Sequence, residues 1–173
     1  MPITPFHFGP GALIKAAAPA GVSWTVFALA NVLIDLEPIA LFFIIGDPAH
    51  PWLHTLPGAV GVAIVAATLG RRPCEWGLRL WNSRLSPAQA RWLGVDATIG
   101  RGAAWTGAFL GTLSHLALDA VMHVDVHPLW PLVPGNPWQG AVSVEALQWG
   151  CVAAGLLGLA VLALLRFRRR AGP

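Results

Sequence analysis

Charge is what this chain has least of. Only 11% of its 173 residues are charged, 55% are hydrophobic, and the mean hydropathy is +0.62. A soluble globular domain carries charge on about a quarter of its residues, so an ordinary water-facing fold is excluded. The opening MPITPFHFGPG lacks the basic region and continuous apolar run of a signal peptide, and Met1 is expected to begin the mature protein. Internal repeats and low-complexity linkers are also missing, so residues 1–173 are expected to form a single membrane-embedded domain.

What is present is apolar and blocked rather than alternating. Residues 22–46, 55–70, 102–122 and 145–165 form long hydrophobic stretches. A helix crossing a bilayer needs about 20 such residues, so the second block is short for the task. Open sheet cannot lie in lipid, because every backbone polar group there must be satisfied internally. The expected fold is therefore all-α, a polytopic membrane helical bundle of about four transmembrane helices.

Orientation follows from arginine. Arg71, Arg72, Arg79, Arg84, Arg91 and Arg101 share the loop 71–101, and Arg166, Arg168, Arg169 and Arg170 close the chain. By the positive-inside rule both regions, and hence both termini, are expected in the cytoplasm, with residues 47–54 and 123–144 outside. Trp76, Trp81, Trp92 and Trp105 flank the first side, and Trp52, Trp130 and Trp138 the second, as in an aromatic belt. The sequence pI of about 9.7 thus reflects topology and anionic headgroups. No basic-aromatic platform stands apart from the membrane edges, so nucleic acid is not an expected partner. Ser86-Pro87 should start a short helix ending near Gly94, and the loop as a whole should lie on the headgroups as interfacial helices. Cys74 and Cys151 fall toward opposite sides, which disfavours a disulfide.

Histidine is absent from that long loop. All six, His7, His50, His54, His115, His123 and His127, lie elsewhere, with Asp35, Glu37 and Asp119 placed inside apolar blocks. Ionisable groups at membrane depth cost at least about 2.5 kcal/mol each on insertion scales and point to function. His115 and Asp119 stand four residues apart on one helix face. His50 and His54 share that offset, which converges them if HPWLH is helical, and Pro51 suits its first turn. Asp35 and Glu37 diverge on a regular helix, although Pro38 disturbs that helix and could turn both inward. If only one acid serves, Asp35 is preferred. Imidazoles with carboxylates suit zinc, iron or manganese.

Each of these groups also has an ordinary structural role open to it. His7 can be a loop residue, and Asp35 and Glu37 can pair with Lys15 or cap a broken helix. His115 and Asp119 can bond each other between helices. His123 and His127 approach the outer surface, where solvated histidines are common, and Asp47 and Asp125 read as loop acids. His7 poses a further problem, since it precedes a span that starts in the cytoplasm yet must reach the other ligands. A short re-entrant helix over residues 10–20, broken at Pro19 and Gly21, would carry it to membrane depth.

Taken in order, TPFH followed by glycine, the acidic pair in DLE, HPWLHT, and GTLSHLALD running into PLWPL resemble the YdjM-like bacterial inner-membrane metal-dependent hydrolases, distant membrane relatives of zinc-dependent phospholipase C. The matching motifs span residues 4–132. The resemblance implies that His7, Asp35, His50 or His54, His115 and Asp119 occupy ligand positions, and that the chain resides in a bacterial inner membrane. Two departures stand out. Glu37 replaces a common second aspartate, and His50-Pro51 replaces a histidine-arginine pair, which removes a cation able to hold a phosphate.

The expected function is metal-assisted hydrolysis of a lipid phosphoester at the outer leaflet. The expected metal ligands are His7, Asp35, His50, His54, His115 and Asp119, holding one or two divalent ions, zinc foremost. Asp35 or Glu37 would be the general base, and the partner a membrane lipid or lipid-linked substrate. A membrane protein with a non-catalytic, structural metal site is the alternative. Conduction of metal ions or protons is disfavoured, because WTGAFLGT and GLLGLAVLALL carry no ionisable group.

Overall fold

The structure is a computed structural model that describes residues 5–46 and 49–171. Asp47 lies outside the described residues. Among those described there is no strand, and the all-helical expectation holds. A single 3-10 turn, Pro5–His7, leads into α1 (Phe8–Ala17). The chain continues through α2 (Trp24–Ile34), α3 (Leu36–Ile45), α4 (Leu56–Thr68), α5 (Arg71–Ser83), α6 (Pro87–Leu93), α7 (Arg101–Met122) and α8 (Val144–Ala171).

Helix α7 is the centre of the bundle, and small residues put it there. Gly107 and Gly111 lie one turn apart, and a Cβ on either would overlap the Ser23 or Phe27 carbonyl of the α2 segment. Backbones can approach this closely only where side chains are absent. Ala104 and Ala108, fully buried, pack with Val26, Ala30 and Ala63 in the lower core. The glycine row then sets what lies above it. Residues 107, 111, 115 and 119 share one ridge of α7, and residues 27, 31 and 35 one ridge of α2. Close contact at the glycines therefore brings His115 and Asp119 against Asn31 and Asp35.

Among the described residues, two helices are long and apolar enough to cross a membrane. They are Trp24–Ile45, which runs through α2 and α3 with hydropathy 2.0, and Val144–Arg168, with hydropathy 2.1. Helix α4 has 13 residues and falls short, whereas α7 has the length at 22 residues but carries a polar row. Both exceptions have a physical cause. The second block is bounded by the non-helical HPWLH turn before Thr55 and by the chain leaving the helix after Thr68, and the buried acid and imidazole lower the hydropathy of the third. The four crossings expected from the apolar blocks thus reduce to two that meet the criterion unaided.

The N-terminal helix supplies a correction. A Cβ on Gly9 would overlap the Cys151 carbonyl, and one on Gly158 would overlap Ala12. The two helices therefore run parallel, with α1 descending beside α8. Pro5–His7 consequently lies at the histidine end of the bundle, while Arg166, which donates to the Gly94 carbonyl, lies at the arginine end. The described ends of the chain are on opposite ends, not together as the arginine count suggested. The expected helix and its break are present. Helix α1 closes in a turn through Pro19 to Gly21, and the Lys15 ammonium donates to the Pro19 and Val22 carbonyls. Lys15 is thereby occupied far from Asp35 and Glu37 and pairs with neither.

At the arginine end, α6 begins as expected. Ser86 Oγ accepts from Gln89 N–H at 3.3 Å, and the Gln89 side chain accepts from Ser86 N–H at 2.9 Å. Both cysteines are free.

Candidate metal centre

The histidine end gathers side chains from four separate segments. Helix α2 ends at Asp35 because Pro38, lacking an N–H, cannot continue the ladder back to Ile34. The carboxylate of Asp35 turns inward and is 2% exposed. The HPWLH turn contributes His54 at 0%, and α7 contributes His115 at 1% and Asp119 at 3%. These four offer ligand atoms all within 4.8 Å of one another.

Their distances fit an ion better than they fit one another. His115 Nε2 lies 3.2 Å from Asp35 Oδ1 and 3.1 Å from Asp119 Oδ2. His54 Nε2 lies 3.1 Å from Asp119 Oδ2 and 3.7 Å from Asp35 Oδ1. Yet Asp35 Oδ1, His54 Nε2 and His115 Nε2 make no hydrogen bond despite this proximity. Buried polar atoms are almost always paired, and leaving three bare costs about 1–3 kcal/mol apiece. Ligand atoms about 2.1 Å from a tetrahedral ion stand about 3.4 Å apart, close to the spacing seen here. Two imidazoles and two carboxylates suit zinc, iron or manganese. The buried group can therefore hold a metal ion.

Asn31 settles which nitrogen of His115 faces the cluster. The Asn31 amide NH2 donates to the Phe27 carbonyl at 2.9 Å, which turns its oxygen toward His115. His115 Nδ1–H then donates to that oxygen at 3.1 Å, leaving the Nε2 lone pair directed at the acids. Fixing a ligand imidazole through its other nitrogen is the usual arrangement in metal sites. The sequence reading missed Asn31, although its four-residue offset from Asp35 was visible.

Asp119 faces two ways. While Oδ2 meets His54 and His115, Oδ1 lies 3.0 Å from His7 Nε2 and 3.9 Å from His123 Nε2. The His7 ring stacks on that of His115 with centroids 4.1 Å apart. The parallel descent of α1 thus places His7 in the cluster. Beside it lies a second, less buried group of His50, His123 and Asp125. Asp125 Oδ2 accepts from His50 N–H at 2.9 Å and from His50 Nδ1 at 2.8 Å. Burial works to raise the Asp125 carboxyl, but the His50 hydrogen bonds outweigh it and hold the carboxyl below its usual range. Burial also keeps the His123 imidazole below its ordinary value and hence neutral at pH 7. Both residues were read from sequence as surface groups. The signal available was that His123 continues the four-residue row of His115 and Asp119.

The HPWLH turn is not helical, contrary to the condition under which its histidines were expected to converge. They converge regardless, with ring centroids 4.6 Å apart. Glu37 explains this. Its Oε2 accepts from Trp52 N–H at 3.0 Å and Leu53 N–H at 2.6 Å. Those donors are satisfied without a helix, and Thr55 Oγ1 then caps α4 by accepting from Gly58 N–H. Glu37 therefore holds the turn and does not join the clustered groups. The structure brings together His7, Asp35, His50, His54, His115 and Asp119, and leaves out Glu37 and His127. Ser114 points elsewhere, bonding the Leu110 and Gly111 carbonyls of its own helix. No protein-family model matches this chain, and neither a curated protein nor a solved structure matches it.

Proposed function

We propose that this chain is a membrane-embedded, metal-dependent hydrolase acting on a lipid phosphoester. One observation carries the metal part of that reading: three buried, unpartnered ligand atoms from Asp35, His54 and His115 meet beside Asp119. Asp35, His54, His115 and Asp119 would hold the first ion, with zinc expected, and His7 and His123 flank the other oxygen of Asp119. A bound divalent ion supplies Lewis acidity toward water and a phosphoester oxygen.

The remaining chemistry belongs to side chains nearer the surface. His50 donates through Nδ1 to Asp125, so its Nε2 carries a lone pair able to take a proton. The Asp125 side chain is 42% exposed, which opens this pair to water and substrate. Asp35, the base expected from sequence, is enclosed by the histidines, and Glu37 is committed to two backbone donors. His50 with Asp125 is thus better placed to move a proton than either acid.

The lipid part rests on surroundings. The apolar window of α8 is only 11% buried, and Phe43, Ile44 and Leu156 are 80%, 76% and 66% exposed. Apolar surface of this extent calls for lipid or a partner. In the proposed arrangement α2–α3 and α8 cross fully, and α4 and α7 complete a four-span bundle beside α1, in a bacterial inner membrane as the resemblance implies. Trp52 and Trp130, in edge contact with centroids 5.7 Å apart, stand at the histidine end, where headgroups meet water. A lipid could keep its tails in the bilayer while its phosphoester reached the cluster.

The test is metal analysis of detergent-purified protein beside turnover of a short-chain phospholipid. Wild type is expected to hold one or two ions and release a headgroup product, and His115→Ala to do neither. A wild-type protein that stays metal-free after incubation with zinc would refute the reading. The enclosure of all four buried ligands favours one competitor, a structural metal site. In that case His50→Gln would leave metal content and stability unchanged, and no phospholipid would be turned over.

A further inference from the structure

The arginine end carries a cleft of about 470 Å³ between α4, α5 and α7, lined by Thr68, Leu69, Arg71, Arg72, Arg101 and Trp105. It lies 18 residues along α7 from Asp119, about 27 Å away at 1.5 Å per residue, and so apart from the metal centre. Arg71 and Arg72 open α5, and Arg101 opens α7. Neither helix has a side-chain N-cap or an acidic residue in its first turn. Cations at helix N-termini face the positive end of the dipole, where an anion would be stabilising.

The arginines are unevenly satisfied. Arg71 donates to Glu75 at 3.3 Å and to the Ile99 carbonyl at 3.0 Å. Arg72 and Arg101 are exposed and have no acidic partner among the described residues. Three guanidinium groups and two helix N-termini therefore share one cleft with a single carboxylate between them. That arrangement is self-repelling unless an anion enters, and guanidinium forks match phosphate oxygens.

We infer that this cleft binds the phosphate of an anionic glycerophospholipid headgroup. The apolar side of the cleft selects a lipid over a free anion. Leu69 is 71% exposed and Trp105 40%, and above them on α4 stand Ile64 and Val65 at 44% and 45%. Acyl chains can lie along that flank while the phosphate meets Arg72 and Arg101. The inference shares the membrane setting of the proposed function but not its chemistry.

The experiment titrates full-length protein in zwitterionic detergent with phosphatidylglycerol, phosphatidylcholine or inorganic phosphate, and follows thermal stabilisation and metal content together. Phosphatidylglycerol is expected to stabilise the protein, and the other two are not. At roughly fivefold per arginine, R72Q/R101Q should raise the half-saturating concentration roughly 25-fold. R79Q/R84Q, at exposed positions on α5 and just past its C-terminal end, outside the cleft, should behave as wild type. If R72Q/R101Q does not fold, R72K/R101K, which keeps charge but loses the fork, should still bind more weakly than wild type. Equal weakening by the two glutamine pairs would show diffuse attraction and overturn the site. Equal stabilisation by inorganic phosphate or phosphatidylcholine would also overturn it, as would none by phosphatidylglycerol. Unchanged metal content throughout keeps this outcome separate from the fate of the hydrolase reading.

Discussion

Replacing Asn31 with leucine tests how the centre is organised without touching a ligand. Leucine is close to asparagine in volume and suits the apolar surroundings of α2, so packing should survive. What disappears is the oxygen that accepts from His115 Nδ1–H at 3.1 Å. In the metal-bound state that N–H would be buried without a partner, at a cost of about 1–3 kcal/mol. The ring can escape by exchanging its proton to Nε2, but that removes the lone pair the ion needs. Either way the loss falls on metal affinity, and partners of this kind are worth about 10–100-fold. The assay is chelator competition on detergent-purified protein, with circular dichroism to confirm folding. Asn31→Leu should bind zinc about 10–100-fold more weakly. Asn31→Asp keeps an acceptor for His115 Nδ1–H but loses the NH2 that donates to the Phe27 carbonyl, and should bind more tightly than Asn31→Leu. If Asn31→Leu retains full affinity, His115 Nε2 is not held toward an ion and the reasoning fails. Equal losses in both variants would point to simple disruption of the α2–α7 contact.

Other perturbations separate the roles of neighbouring groups. His115→Ala and Asp119→Ala should strip the metal, while His127→Ala should retain it, as read by metal per protein. His123→Ala should keep the buried four-ligand ion but reduce turnover, and full activity would remove it from the mouth of the site. Glu37→Gln should leave metal content unchanged yet lower stability by about 1–2 kcal/mol, since its two backbone hydrogen bonds lose their charge. Loss of turnover with no loss of stability would restore Glu37 as a base. Metal retention should fall as the pH is lowered, because a protonated imidazole no longer offers the ion a lone pair. Retention that is flat down to pH 4 would mean the histidines are not ligands.

Helix, apolar character and the identity of the buried polar groups were legible in the sequence because each depends on local spacing and composition. Few charges and long apolar blocks leave helices as the structures able to satisfy their own backbone. His115 and Asp119 stand one turn apart whatever surrounds them. The absence of histidine from 71–101 marked the others as placed for a purpose.

Direction and partnership were decided by contacts distant in sequence. The arginine pattern placed both chain ends together, but Gly9 and Gly158 lock α1 parallel to α8 and carry His7 to Asp119, 112 residues away. Period and proline left both Asp35 and Glu37 open as inward acids, with Asp35 preferred if only one served. The turn that Glu37 holds through Trp52 and Leu53 separates them, and it also brings His50 and His54 together without a helix. Asp125 looked like a loop acid until folding set it against His50, 75 residues earlier. Asn31 orients His115 only because glycines on α7 admit the α2 backbone one turn below. Which atom a buried imidazole offers depends on the partner of its other nitrogen, and that partner lies on a different helix.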